Sequence, residues 1–85
     1  MITRQAVADK IGAYLHHAIS LAELVDRAED AMMEGEFEEG DVDTLRATIG
    51  RLGLADVRAF GLEWSDCEEL LWQLGFSARV DIVAA

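Results

Sequence analysis

The chain has 85 residues and a mass of 9.4 kDa, and 52% of its residues are hydrophobic, so we expect one small folded domain over residues 1–85. Its 17 acidic and 7 basic residues give a net charge of −10, which argues against nucleic acid and anionic membranes as partners because both repel it. The longest uncharged stretch is too short to span a bilayer, and no secretory pattern follows Met1, so we expect a cytoplasmic protein.

The first part of the chain predicts two helices. Thr3 is placed to cap the first of them. Its apolar face is formed by Val7, Ile11, Tyr14, Leu15 and Ala18. The second helix starts at a capping box, in which Ser20 and Glu23 accept hydrogen bonds from each other's backbone N–H groups. It continues to about Glu34, and Gly35 can end it. Its apolar stripe consists of Leu21, Leu24, Val25, Ala28 and Met32.

Glycines predict where the later helices stop. After an acidic linker, residues 36–40, Asp41 or Asp43 can cap a third helix. An apolar residue then stands four positions before a glycine, and another directly after it, at three places: Gly53, Gly61 and Gly75. This is the spacing of the Schellman motif, and it predicts short helices that end at residues 52, 60 and 74. A second capping box, from Ser65 to Glu68, predicts the start of the last helix.

The C-terminal segment changes from helical to alternating periodicity. Its apolar residues Ala78, Val80, Ile82 and Ala84 occupy every second position, which is typical of a strand. A strand must pair its backbone groups, so it pairs within the chain, pairs with another subunit, or is a tail instead. The fold class expected is therefore mainly α, a compact bundle of four to five short helices with an extended or short β C-terminal segment.

Nearly all of the net charge lies in one segment. Residues 23–43 contain ten carboxylates and one arginine, a net charge of −9, whereas the rest of the chain carries −1. The spacing does not match a calcium-binding EF-hand, because counting from Glu34 places Glu39 at the glycine position and Leu45 at the final glutamate position. Two interpretations stay open: a solvated face that maintains solubility, or a docking face for a basic protein. The docking interpretation assigns the partner contacts to Glu34, Glu36, Glu38, Glu39, Asp41 and Asp43.

The residues that most often carry catalysis are few. His16 and His17 are adjacent on a helix and point about 100° apart, so they cannot chelate one ion together. Cys67 has three acidic neighbours in sequence, which oppose thiolate formation. We therefore expect a protein that is not an enzyme and that has no catalytic residue, metal site or cofactor.

Aromatic residues near the C-terminus support an alternative function. Tryptophan is enriched at binding hot spots, and both tryptophans of the chain lie close to the predicted strand. A homodimer would use this region, and the residues assigned to self-association are Trp64, Trp72, Phe76 and Ile82. The alternative is therefore a self-associating structural or regulatory subunit.

The predicted helix pair at the start of the chain resembles a known family. The run from Ala13 to Val25 contains Ala-Tyr-Leu and then Ile-Ser-Leu-Ala-Glu-Leu-Val, and it is similar to the opening of small bacterial immunity proteins of the colicin D type. It also looks like the start of other short acidic bacterial proteins. The resemblance covers residues 6–33 and implies a helical bundle that presents carboxylates to the positively charged active site of a ribonuclease toxin. An immunity-like or antitoxin-like inhibitor is the function that this resemblance implies.

Overall fold

The computed structural model of the chain describes residues 1–57 and 61–78, and within these ranges it has four α-helices. They are α1 (Arg4–Leu15), α2 (Leu21–Glu34), α3 (Val42–Gly53) and α4 (Trp64–Gln73). The prediction of a mainly helical bundle is confirmed. The predicted C-terminal strand, which includes Val80, Ile82 and Ala84, lies outside the described residues.

Helix α1 begins as predicted but ends earlier. The Thr3 hydroxyl accepts a hydrogen bond from the Ala6 backbone N–H at 3.0 Å, so Thr3 is its N-cap. The helix stops at Leu15 because His17 takes the left-handed conformation, with φ of 62°. The N–H of Ala18 then donates to the carbonyl of Ala13 at 2.8 Å, which closes the helix end. Ala18 is therefore outside the helix and exposed, and its predicted place on the apolar face is wrong.

Helix α2 has the predicted limits. The Ser20 hydroxyl accepts from the Glu23 N–H at 3.1 Å, which is one half of the predicted capping box. Gly35 ends the helix in the left-handed conformation, with φ of 71°. Met32, which was assigned to the apolar stripe, is exposed, so that part of the prediction is wrong. It lies in the last turn of α2.

The three predicted glycine stops have different outcomes. Gly75 ends α4 with φ of 91°, and the N–H of Phe76 donates to the carbonyl of Leu71 at 2.8 Å, which is the predicted Schellman motif. Gly61 has φ of 60° and donates to the carbonyl of Val57 at 3.0 Å, but the helix predicted to end at residue 60 lies partly outside the described residues. Helix α3 ends at Gly53, one residue after the predicted end, but Gly53 does not adopt a positive φ, so the Schellman motif predicted there is wrong.

Helix α4 begins before its predicted cap. The carboxylate of Asp66 accepts a hydrogen bond from the backbone N–H of Glu63 at 2.8 Å, so Glu63 is the N-cap and Trp64 the first helical residue. The predicted box from Ser65 to Glu68 is therefore wrong. In the observed box, Asp66 occupies the third helical position and its carboxylate bonds back to the N-cap residue.

All four helices contribute to one apolar core. Its buried members are Ile2, Val7, Ala8, Ile11, Leu24, Ala28, Leu45, Ile49, Leu52, Cys67, Leu70, Leu71 and Leu74. Ile2 also makes an isolated parallel β-bridge with Phe37. The Ile2 N–H donates to the carbonyl of Glu36 at 2.7 Å, and the Glu38 N–H donates to the carbonyl of Ile2 at 2.8 Å. These bonds hold the linker between α2 and α3 against the start of α1.

Candidate protein-docking surface

The outer side of α2 is a row of carboxylates. Its inner side buries Leu24, Val25 and Ala28. Residues three or four apart share a helix face, so this pattern leaves the acids together on the solvent side. The exposed acidic residues of this helix are Glu23, Asp26, Glu29, Asp30 and Glu34. They bring five negative charges onto one helix with one basic residue, Arg27.

The acidic linker continues this surface in a fixed conformation. The bridge to Ile2 holds Phe37, whose side chain packs against the core. The guanidinium carbon of Arg46 lies 5.5 Å from the centre of the Phe37 ring, within the range of a cation–π interaction. Glu36 and Glu39 are exposed on either side of this anchor. The backbone therefore positions these two carboxylates instead of leaving them on a free loop.

The six predicted contact residues separate into two groups. The carboxylate of Asp41 lies 3.2 Å from the Nε atom of Arg4, and the carboxylate of Glu38 accepts from the Arg4 backbone N–H at 3.1 Å. These two acids are partly buried and serve to hold the linker to α1. Asp41 is the N-cap residue of α3, but its side chain makes no capping hydrogen bond.

The other predicted contacts are more accessible. The exposed members of the set are Glu34, Glu36, Glu39 and Asp43. The amino group of Met1 lies 3.8 Å from the Glu34 carboxylate, and both groups are more than half exposed, so water screens this pair. Asp43 lies in the first turn of α3, where the helix dipole favours a negative charge.

Sequence reasoning missed a methionine on the acidic surface. Met33 is 86% exposed, close in sequence to the linker acids. It is seven positions after Asp26, which places both on the same outward row of α2, so the helical spacing could have identified it. Methionine is flexible and polarisable, and it is common at binding surfaces that adapt to a partner.

The histidines and the cysteine do not form a reactive group. His16 and His17 are exposed at the end of α1, whereas Cys67 is fully buried in the core. Burial raises the pKa of the Cys67 thiol to about 11, with a further contribution from the charge of Asp66. The thiol is therefore protonated at neutral pH. Within residues 1–57 and 61–78, no three His, Cys, Asp or Glu residues are grouped closely enough to hold a metal ion.

The residues predicted for self-association differ in exposure where the structure describes them. Trp72 is 74% exposed and Trp64 is 40% exposed, whereas Phe76 is partly buried against the core. Ile82 lies outside the described residues. Of the three that the structure describes, Trp64 and Trp72 are therefore the more accessible to a partner.

A small groove between α1 and α2 has no clear charge preference. Its volume is about 230 Å³, and its floor is apolar, with Val7, Leu24 and Ile49 among the side chains. Its rim carries two basic and two acidic residues: Lys10, Arg27, Asp30 and Glu34. Because the charges of the rim are balanced, the groove does not select a charged ligand of either sign.

No protein-family model matches the chain, and it has no significant match among curated proteins or solved structures. In the part of the chain that the structure describes, every helix is too short or too polar to cross a membrane.

Proposed function

We propose that this protein is a non-catalytic, acidic protein-binding module that docks on a basic protein surface. The observation that carries the proposal is the net charge of −9 on residues 23–43. Complementary charge across an interface speeds association and disfavours partners of the wrong sign. The carboxylates that we assign to the contact are the exposed ones at Glu36, Glu39 and Asp43, together with the outer row of α2.

The arrangement of charge on α2 supports a function beyond solubility. Asp26, Asp30 and Glu34 follow each other at intervals of four residues, and like charges at this spacing destabilise a helix by about 0.2–0.5 kcal/mol per pair. Glu34 also lies at the C-terminal end of α2, where the helix dipole opposes a negative charge. Charges spread over the surface would maintain solubility without this cost.

The linker supports the same proposal by a different observation. Glu38 and Asp41 bind Arg4, and the backbone on both sides of Phe37 is bonded to Ile2. The backbone that carries the neighbouring exposed carboxylates is therefore ordered before a partner arrives. A pre-ordered surface loses less conformational entropy on binding than a free loop does.

The proposal is tested with a partner obtained by native copurification from the source organism. We expect the double variant Glu36→Gln/Glu39→Gln to weaken that complex at least tenfold and to reduce the salt dependence of its Kd. Neither side chain is buried, so circular dichroism should remain unchanged.

The matched control is Asp9→Asn/Asp56→Asn. It changes the net charge by the same amount at exposed positions outside residues 23–43. Equal Kd values for the two double variants would show that only the total charge matters, and the proposed docking surface would be wrong. The proposed docking surface would also be wrong if Glu36→Gln/Glu39→Gln bound the partner with wild-type affinity.

An immunity-like or antitoxin-like inhibitor is the specific form of this proposal. A nuclease has a basic active site because it binds phosphates, and an ordered acidic surface complements such a site. This form requires the copurified partner to be an enzyme acting on a polyanion, and the purified protein to inhibit it at stoichiometric concentration. If the copurified partner is basic but has no such activity, the proposal of a binding module stands and the proposal of an inhibitor is wrong.

A self-associating structural or regulatory subunit is the second candidate. The exposure of Trp64 and Trp72 favours it, since tryptophan is more often buried. The net charge of −10 opposes it, because two copies repel each other. Sedimentation at micromolar concentration tests this candidate, and a monomer under these conditions excludes it.

A further inference from the structure

The outer face of α4 carries a second exposed surface that the acidic segment does not include. Trp64, Glu68 and Trp72 follow at intervals of four residues, so they form one row on the solvent side of the helix. Eight residues of helix rise by about 12 Å, and this is the distance along the axis between the two tryptophan positions. The opposite side of α4 buries Cys67, Leu70 and Leu71.

Trp72 stands beside two carboxylates in one shallow depression. Trp72, Glu68 and Glu69 line it together with Ser77 and Ala78, and its volume is about 400 Å³. An indole face and a carboxylate both attract a cation, the first through the ring quadrupole and the second through its charge. Arginine fits both, because the planar guanidinium stacks on an aromatic ring and binds a carboxylate with two donors.

We propose that this face of α4 binds an arginine-bearing amphipathic helix of a partner protein. The arginine occupies the depression at Trp72 and Glu68, and an apolar residue of the partner helix packs on Trp64. This surface of α4 shares no residue with the acidic linker or with α2. It is therefore a second binding surface, and it does not depend on the docking surface proposed above.

Charge selects this occupant over a second copy of the chain. In a symmetric dimer the same patch meets itself, and Glu68 and Glu69 of one copy would lie close to the same residues of the other. Like charges placed opposite each other at an interface cost free energy, whereas an arginine at the same place neutralises them. The exposed tryptophans supply the apolar contact with the partner helix.

The test uses a fluorescently labelled 16-residue peptide with the pattern Leu-x3-Arg-x3-Leu on an alanine and glutamine background. Binding to the full chain is measured by fluorescence anisotropy up to 1 mM protein. We expect Trp72→Ala and Glu68→Lys each to raise the Kd at least tenfold. The same peptide with glutamate in place of arginine should not bind.

Matched controls separate this surface from the general acidity of the chain. Met33→Ala removes another highly exposed apolar side chain, from α2, and Glu29→Lys makes the same charge reversal there. Both controls should keep the Kd within about threefold of the wild-type value. Circular dichroism checks that each variant is folded.

Several results would overturn the proposal. Absence of binding to the wild-type chain, or equal Kd values for the Trp72→Ala and Met33→Ala variants, would do so. A dimer in sedimentation that Trp72→Ala dissociates would make a second copy the occupant. A tenfold gain of affinity in Arg79→Ala would make this chain's own arginine the occupant.

Discussion

Cys67 shows how one buried side chain links stability to pH. The thiol is fully buried, and burial together with the neighbouring charge of Asp66 raises its pKa to about 11 from the ordinary value of 9.0. The unfolded chain therefore loses this proton at a lower pH than the folded chain does. The stability that the protonated thiol contributes is fully present below pH 9 and is lost as the pH rises from 9 through 11.

We expect the free energy of unfolding to fall between pH 9 and 11 by on the order of 1–2 kcal/mol from this group. Urea denaturation at several pH values measures it. Cys67→Ala is the control because this variant lacks the thiol and retains every other ionisable side chain of the protein. If wild type and variant lose stability in parallel over this range, the thiol is not the cause.

At the scale of the elements, local chemistry decided which helix limits could be predicted. Thr3, Ser20 and Gly35 act on backbone groups within a few residues, and their roles are visible in the sequence. The start of α4 was predicted wrongly because two overlapping boxes compete there, and the choice depends on the Asp66 carboxylate bonding to Glu63. No glycine marks the end of α1, because His17 takes the left-handed position there.

The candidate site was predictable in composition but not in geometry. The sequence locates the charge, because counting residues needs no structure. It cannot show that Arg4 binds Glu38 and Asp41, since these contacts join residues more than thirty positions apart. The separation of the acids into two that hold the linker and others that face solvent is therefore a result of tertiary packing. The exposure of Met32 is likewise a result of tertiary packing.

The repulsion along α2 leads to a prediction for Asp30. Asp30→Lys removes the like-charge pairs with Asp26 and Glu34, and the new lysine attracts both neighbours and suits the C-terminal half of the helix dipole. We expect the free energy of unfolding to increase by about 0.5–1 kcal/mol in urea denaturation. Asp56→Lys makes the same change of charge at an exposed position outside α2. An equal gain in both variants would assign the effect to net charge alone.

At the scale of the whole molecule, charge repulsion makes stability depend on salt. The chain carries −10, and −9 of this lies on residues 23–43, so the folded state confines like charges that the unfolded chain can separate. Sodium chloride screens them, because the Debye length falls from about 30 Å at 0.01 M to about 10 Å at 0.1 M.

We expect the thermal unfolding midpoint to rise over this range of sodium chloride, and to rise less in Asp30→Lys than in the wild type. Differential scanning calorimetry at low and moderate salt makes the comparison. A midpoint that stays constant or falls would show that the carboxylates are stabilised by their neighbours, and the argument that they are retained for binding would lose its basis.

The bridge between Ile2 and Phe37 couples the exposure of two backbone N–H groups that are distant in sequence. The N–H groups of Ile2 and Glu38 are far apart in sequence, yet each donates to a carbonyl across this bridge. A single separation of the two bridged segments exposes both N–H groups, so we expect their amide hydrogens to exchange with deuterium in the same opening event. The exchange rate at Glu38 thus reports how often the acidic linker leaves the body of the protein.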